Sequence, residues 1–414
     1  MLHALPVSAD VGTFTLSERT EVRGRDPDQV TNSAAMDLNF AADAHAVLSS
    51  PHHIYTLAYT PSLLLLDVNA TVAPALLNTL LASGEWRAGH TDIIVSELAS
   101  YGTKAIASFT GPAPGAPAPT GPPLPVANAQ TLPPVQTYLF GSSNTSIAST
   151  VTLRPWLLNG TVGYQLSGGA DSTAEQTIPF QRGPYAQASA DLRAGRHDHL
   201  VTLASGLEAT FSPPAGDPNP QTPASTTGTG TEVLLLQAQQ QWKHALTRTT
   251  DTMLAAGLYE ARSRNGAFEA YQYTTSVVAE GSVEQRIGRG KTRGSILLDL
   301  RLAPVVNQLT GFVDERVQGT LQGSWSRRKV TLRALVTASE SIDQSTSTAS
   351  KIFVGEVDAL YAQSTALSLD LGVRGVTQDQ NYPATVAGGA ITEVPFSQVL
   401  VFFGVTVVPV KAHF

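Results

Sequence analysis

The run VLVFFGVTVVPVKAHF, residues 399–414, is built almost wholly from β-branched, aromatic and small residues and ends on Phe414. Strand side chains alternate between faces, so steps of two back from Phe414 collect Ala412, Val410, Val408, Thr406, Gly404, Phe402 and Leu400 on one nearly apolar face. His413 and Lys411 fall on the other. Proline has no amide hydrogen to give a ladder, so Pro409 predicts a bulge or the fraying end of the strand. A strand of this kind needs partners, and the rest of the chain has to supply the sheet.

Upstream, candidate strands lie at 12–24, 52–60 and 63–69, with two more inside 84–102 joined tightly at Ala88–Thr91. A polar segment runs to about Ser50, Pro61-Ser62 reads as a turn, and 71–82 reads as a short helical turn. After a Pro-rich loop near 110–134 the pattern becomes regular. Thirteen further strands are expected, at 138–153, 157–167, 184–193, 199–211, 231–244, 252–262, 273–286, 295–302, 315–327, 329–339, 352–362, 366–376 and 396–410. The total is about 18, with 16 as the alternative count. Short connections alternate with long ones rich in Pro, Gly, Ser, Thr and Asp, such as 168–183, 212–230 and 377–395. That alternation predicts an all-β, closed antiparallel transmembrane barrel with short periplasmic turns and long external loops.

Composition points the same way. Charged residues are 14% of the 414, against about 25% in typical soluble domains, and mean hydropathy is zero. No run approaches the roughly 20 apolar residues of a membrane-spanning helix, which leaves a barrel as the route across a bilayer. A net charge of −7 without a polybasic, aromatic-interleaved segment argues against nucleic acid. The chain has no cysteine, excluding disulfides and thiolate metal sites. Residues 4–9, ALPVSA, read as the tail of a signal peptide or as a disordered terminus, so 1–9 are set apart and 10–414 are expected to form one barrel domain.

Within the strands one face is apolar and the other wet. Ile296, Leu298, Leu300 and Leu302 oppose Ser295, Asp299 and Arg301; Leu367, Leu369, Leu371 and Val373 oppose Ser368, Asp370 and Arg374; Leu234, Leu236 and Trp242 oppose Gln237, Gln239, Gln241 and Lys243. Trp86, Trp156, Trp242 and Trp325 all lie beside short turns, as an aromatic girdle at one interface predicts. The charges expected in the lumen are Arg19 and Glu21, Asp67, Asp191 and Arg193, Glu208, Lys243, Glu280, Glu284 and Arg286, Asp299 and Arg301, Arg333, Glu356 and Asp358, and Asp370 and Arg374. A constriction or transverse field built from them would select solutes. The short turns add a positive periplasmic rim: Arg289, Lys291, Arg293, Arg327, Arg328 and Lys329.

Catalytic patterns are missing. His52-His53 and His197-Asp198-His199 are the only clusters among nine histidines, without metalloprotease spacing. GSSNTS (141–146) lacks the strand–elbow–helix setting of a hydrolase, and GRGKTRG (288–294) joins two strands where a phosphate loop would open a helix. Neither an enzyme, a metal nor a cofactor is expected.

A last strand that ends on Phe resembles the closing strand of bacterial outer-membrane β-barrels, whose assembly machinery reads an aromatic C-terminus. The resemblance implies an outer-membrane location, outer-membrane lipid as surroundings and Phe414 as the assembly signal. LSGGAD (166–171), FQRGP (180–184) and LAPVVNQLTGFVDER (302–316) are similar to segments of large barrels that accompany polysaccharide-export systems. That similarity implies a pore for polar solutes acting as the exit for a periplasmic export protein. The alternative is a barrel without an open pore, serving as an enzyme or as a structural or adhesion anchor.

Overall fold

A computed structural model describes residues 11–25, 35–66, 74–105, 137–171, 174, 180–211, 231–265, 270–289, 292–306, 313–343, 349–382 and 392–413. The strands are β1 (Val11–Arg25), β2 (Ala35–Ser49), β3 (His53–Leu65), β4 (Ala75–Ala88), β5 (Thr91–Ala105), β6 (Thr137–Leu153), β7 (Trp156–Gly169), β8 (Gln181–Arg193), β9 (Asp198–Phe211), β10 (Thr231–Ala245), β11 (Thr250–Asn265), β12 (Gln272–Arg289), β13 (Thr292–Val306), β14 (Val313–Arg327), β15 (Val330–Asp343), β16 (Ala349–Ala362), β17 (Leu367–Tyr382) and β18 (Thr392–His413). Each pairs antiparallel with the next, and β1 pairs with both β2 and β18, closing an 18-stranded barrel. Closure leaves no free sheet edge apart from the part of β12 before Ala279, which has no β13 partner among the described residues.

The start of β1, the end of β18 and the short turns share one end of the barrel. Register then decides which residues face out. Ile296, Leu298 and Leu300 on β13 and Leu371 and Val373 on β17 are exposed on the outer wall, as are the four tryptophans beside the short turns. Their neighbours along each strand point into the lumen.

Three local expectations are corrected. The polar segment before Ser50 contains β2, where Asp37, Asn39, Asp43 and His45 point inward between Met36, Leu38, Phe40 and alanines pointing out. Pro61-Ser62 does not turn the chain: β3 runs straight through and pairs Pro61 with Asn78. Residues 75–82, read as helical, belong to β4, because tertiary pairing overrides the weak local helix signal of this Leu/Ala-rich stretch.

The terminal strand carries the bulge that Pro409 demanded. β1 steps from Leu16↔Val410 to Glu18↔Val407, so Val408 and Pro409 share the place of one residue. The extra residue inverts the face. Val410 continues the outer wall, but above the bulge the lipid face is Val399, Val401, Phe403 and Val407, while Phe402 and Gly404 turn inward. The apolar face read in steps of two from Phe414 is thus two half-faces. Phe414 itself lies outside the described residues.

Candidate functional site: the barrel lumen

The lumen has two unlike walls. On one, formed by β15–β18 and β1, charges are paired in a chain. Arg333 binds Asp358 at 2.6 Å, Arg374 binds Glu356 at 2.5 Å, and Arg19 bridges Glu21 at 2.6 Å and Asp370 at 2.5 Å; Arg23 completes the group on Glu21. Arg19 and Asp370 lie on strands separated by β18, so their contact crosses that strand at Gly404. A Cβ there would stand 2.3 Å from Asp370 Oδ1. Glycine at 404 is what lets the bridge form.

The facing wall, β6–β11, carries no ionised side chain along most of its height and sets amides and hydroxyls beside the apolar inward residues of β9 and β10. Tyr185 Oη donates to Asn144 Oδ1 at 2.8 Å, Thr150 to Asn159 Oδ1 at 2.9 Å, and Asn159 Nδ2 to Ser189 Oγ at 3.1 Å. Gln237, Gln239 and Gln241 form a ladder on β10, with Gln237 Nε2 donating to Gln239 Oε1 at 3.0 Å. Tyr185 lies over Gly163, where a Cβ would stand 2.5 Å from the ring. Charges return only toward the short-turn end, where His199 meets Asp191 at 3.1 Å and Lys243 and Arg193 follow.

The remaining residues singled out in the sequence are distributed as follows. Glu280 and Arg301 are directly paired across β12 and β13, with Asp299 on the same inward face. Glu284 and Arg286 point inward near the short-turn end, where Arg286 binds Asp251. Glu208 is a correction: register sets it on the outer face, opposite Pro184's strand and Leu234, because in β9 the inward set is Val201, Leu203, Leu207 and Ala209. Asp67 and Lys291 lie outside the described residues. Arg293, Arg327, Arg328 and Lys329 sit at adjoining short turns, Lys329 Nζ donating to the Gln363 carbonyl at 2.6 Å, and Arg289 ends β12. Asp198 of the histidine cluster accepts from Trp242 at 3.0 Å and His244 at 2.7 Å.

One feature of the lumen was missed by sequence reasoning. Among the described residues β12 and β13 stop pairing at Ala279↔Leu302, yet β13 and β14 stay paired to Val306↔Val313. β14 keeps its ladder with β15 up to Asp314↔Asp343, so it is the β12–β13 seam that opens, and the end of the β13–β14 hairpin leans from there over the inward face of β12. Ser276 Oγ on the inward face of β12 donates to Glu315 Oε1 of the tip at 2.7 Å. Val306, Val313 and Ala303 join Tyr259, Val278, Phe211, Val233 and Tyr185 of the wall in one buried apolar cluster. The signal was present: Leu302, Ala303, Pro304, Val305 and Val306 are consecutive apolar residues, and a strand covered on both faces loses its alternation.

This geometry defines a transmembrane β-barrel of the bacterial outer membrane. The FrpB iron transporter of Neisseria meningitidis, F5-1 variant, shares the fold with a TM-score of 0.52 at 9% identity over 96% of this chain and 81% of that one. Its F3-3 variant gives 0.50 at 8% over the same shares. Pseudomonas aeruginosa OccK2 in complex with glucuronate superposes at 0.48, with 11% identity over 96% of this chain and 98% of that one. Residues 7–271 match the EpsX exopolysaccharide export family, and the chain belongs to that family. No curated protein matches it in sequence.

Proposed function

We propose that the barrel is the outer-membrane exit of a polysaccharide-export system, passing a hydrated saccharide chain through its lumen. The observation that carries this reading is the neutral wall. Amides and hydroxyls at Asn144, Asn159, Gln237 and Gln239 match sugar hydroxyls in both donor and acceptor capacity, without the ion pairs that would hold a charged solute. The opposite wall supports passage in another way. Its carboxylates are largely occupied by arginines, so it presents little unpaired charge to a passing chain.

The positive turns at the periplasmic rim supply a docking face for an acidic periplasmic export protein, and the terminal Phe414 hands the chain to the barrel-assembly machinery. The decisive experiment pairs two measurements on the full chain: single-channel current in a planar bilayer, and surface polysaccharide in a strain lacking the gene, complemented by wild type. Export restored by wild type, with current through the purified barrel, is the expected result. A barrel that restores nothing and conducts nothing would turn the reading toward an anchor or an enzyme.

A further inference from the structure

The cluster beneath the inward hairpin tip is unusual in its setting. Tyr259 is 2% exposed, Val278 1% and Val306 0%, although all stand inside a barrel. They are buried because the outward face of the tip, Val306, Val313 and Glu315, lies on the inward face of β11 and β12. Tyr259 is thus covered by a piece of the chain itself, and Tyr185 and Phe211 belong to the same buried cluster. The Tyr259 hydroxyl is buried beside Ser276 and Glu315, the pair that ties the tip to the wall. Tyr259 is directly opposite Gln237, the upper end of the glutamine ladder.

Aromatic rings beside amides are the chemistry that holds sugars: ring faces take the apolar C–H side of a pyranose and amides take its hydroxyls. We propose that Tyr185, Phe211 and Tyr259, with Gln237, form a saccharide-binding track that the β13–β14 tip occludes. The proposal rests on the saccharide-exit reading and names where in the lumen the chain is held. The uncovered state is already specified by the sheet. Continuing the register past Ala279↔Leu302 would pair Val278 with Ala303 and Ser276 with Val305, closing the seam between β12 and β13. The tip leaves the track when β13 zips onto the edge of β12, which has no β13 partner above Ala279 among the described residues.

The chain has no cysteine, so Ser276→Cys with Glu315→Cys can be joined in the folded barrel by a short reducible linker. Binding of maltohexaose to the detergent-solubilised full chain is followed by saturation-transfer NMR, with heat-modifiability confirming the fold of each variant. The linked form should not bind. Cleaving the linker should restore binding, and Tyr259→Ala or Phe211→Ala in the cleaved form should weaken it about tenfold, as loss of a stacking contact of ordinary size implies. Equal binding before and after cleavage, no binding after cleavage, or binding indifferent to both substitutions would overturn the track. Because the readout needs no current, failure of the pore reading appears separately, as a wild-type barrel that neither conducts nor exports.

Discussion

The two lumen walls solve the same problem, polar groups in a confined space, by opposite means. On β15–β18 and β1, full charges are neutralised in pairs, and the wall depends on every partner being present. On β6–β11, amides and hydroxyls satisfy one another in part and keep spare capacity for a ligand. The difference teaches where rigidity and where recognition reside. A paired carboxylate is a brace, because removing one partner leaves an uncompensated charge. A hydrogen-bonded amide is adaptable, because its loss costs about 1 kcal/mol.

The comparison breaks first at Glu21. Buried at 6% exposure between Arg19 and Arg23, it should cost about 3–5 kcal/mol when changed to alanine, read as unfolding in denaturant from detergent micelles. Gly404→Ala should follow in the same direction by pushing Asp370 off Arg19, whereas Gln239→Ala on the facing wall should cost about 1 kcal/mol. Equal costs on the two walls would erase the distinction. Next in size is the inner against the outer face. Leu298→Arg or Leu369→Arg should destabilise by about 2–4 kcal/mol near mid-membrane, while Ser295→Arg and Ser368→Arg, pointing inward, should be tolerated.

A third test concerns assembly: Phe414→Ala should lower the amount of heat-modifiable barrel in the outer membrane without changing the unfolding behaviour of what is assembled. The smallest effect is expected at the rim. Reversing charge at Arg293, Arg327, Arg328 and Lys329 should reduce anion preference and capture of an acidic partner at low salt, and the change should fade as salt rises, since screening acts within about 8 Å under physiological conditions. An unchanged selectivity and unchanged capture at low salt would reduce the rim to a lipid anchor.

Much of this protein is legible from local alternation. The thirteen strands from β6 onward stand close to where the period-2 pattern places them, and Ser295, Asp299 and Arg301 turn inward because Ile296, Leu298 and Leu300 must turn out. The first strands were harder. β2 is rich in alanine and has Val47 as its one β-branched residue, so its alternation was hidden by composition, and the Leu/Ala content of β4 mimicked a helix. The glutamine ladder was visible as spacing, but its role depended on what faces it.

The sequence by itself determined that the chain is a closed sheet with one wet and one apolar face, because side-chain alternation is a property of each strand alone. It also placed the bulge, because proline lacks a donor wherever it falls. Tertiary structure alone decided on which side of the sheet each end of β18 lies, since one extra residue at Val408-Pro409 inverts everything beyond it. It alone turned Glu208 outward, paired Arg19 with Asp370 across Gly404, and folded the β13–β14 tip over Tyr259. Each of these depends on register between strands distant in sequence, and no local pattern carries that information.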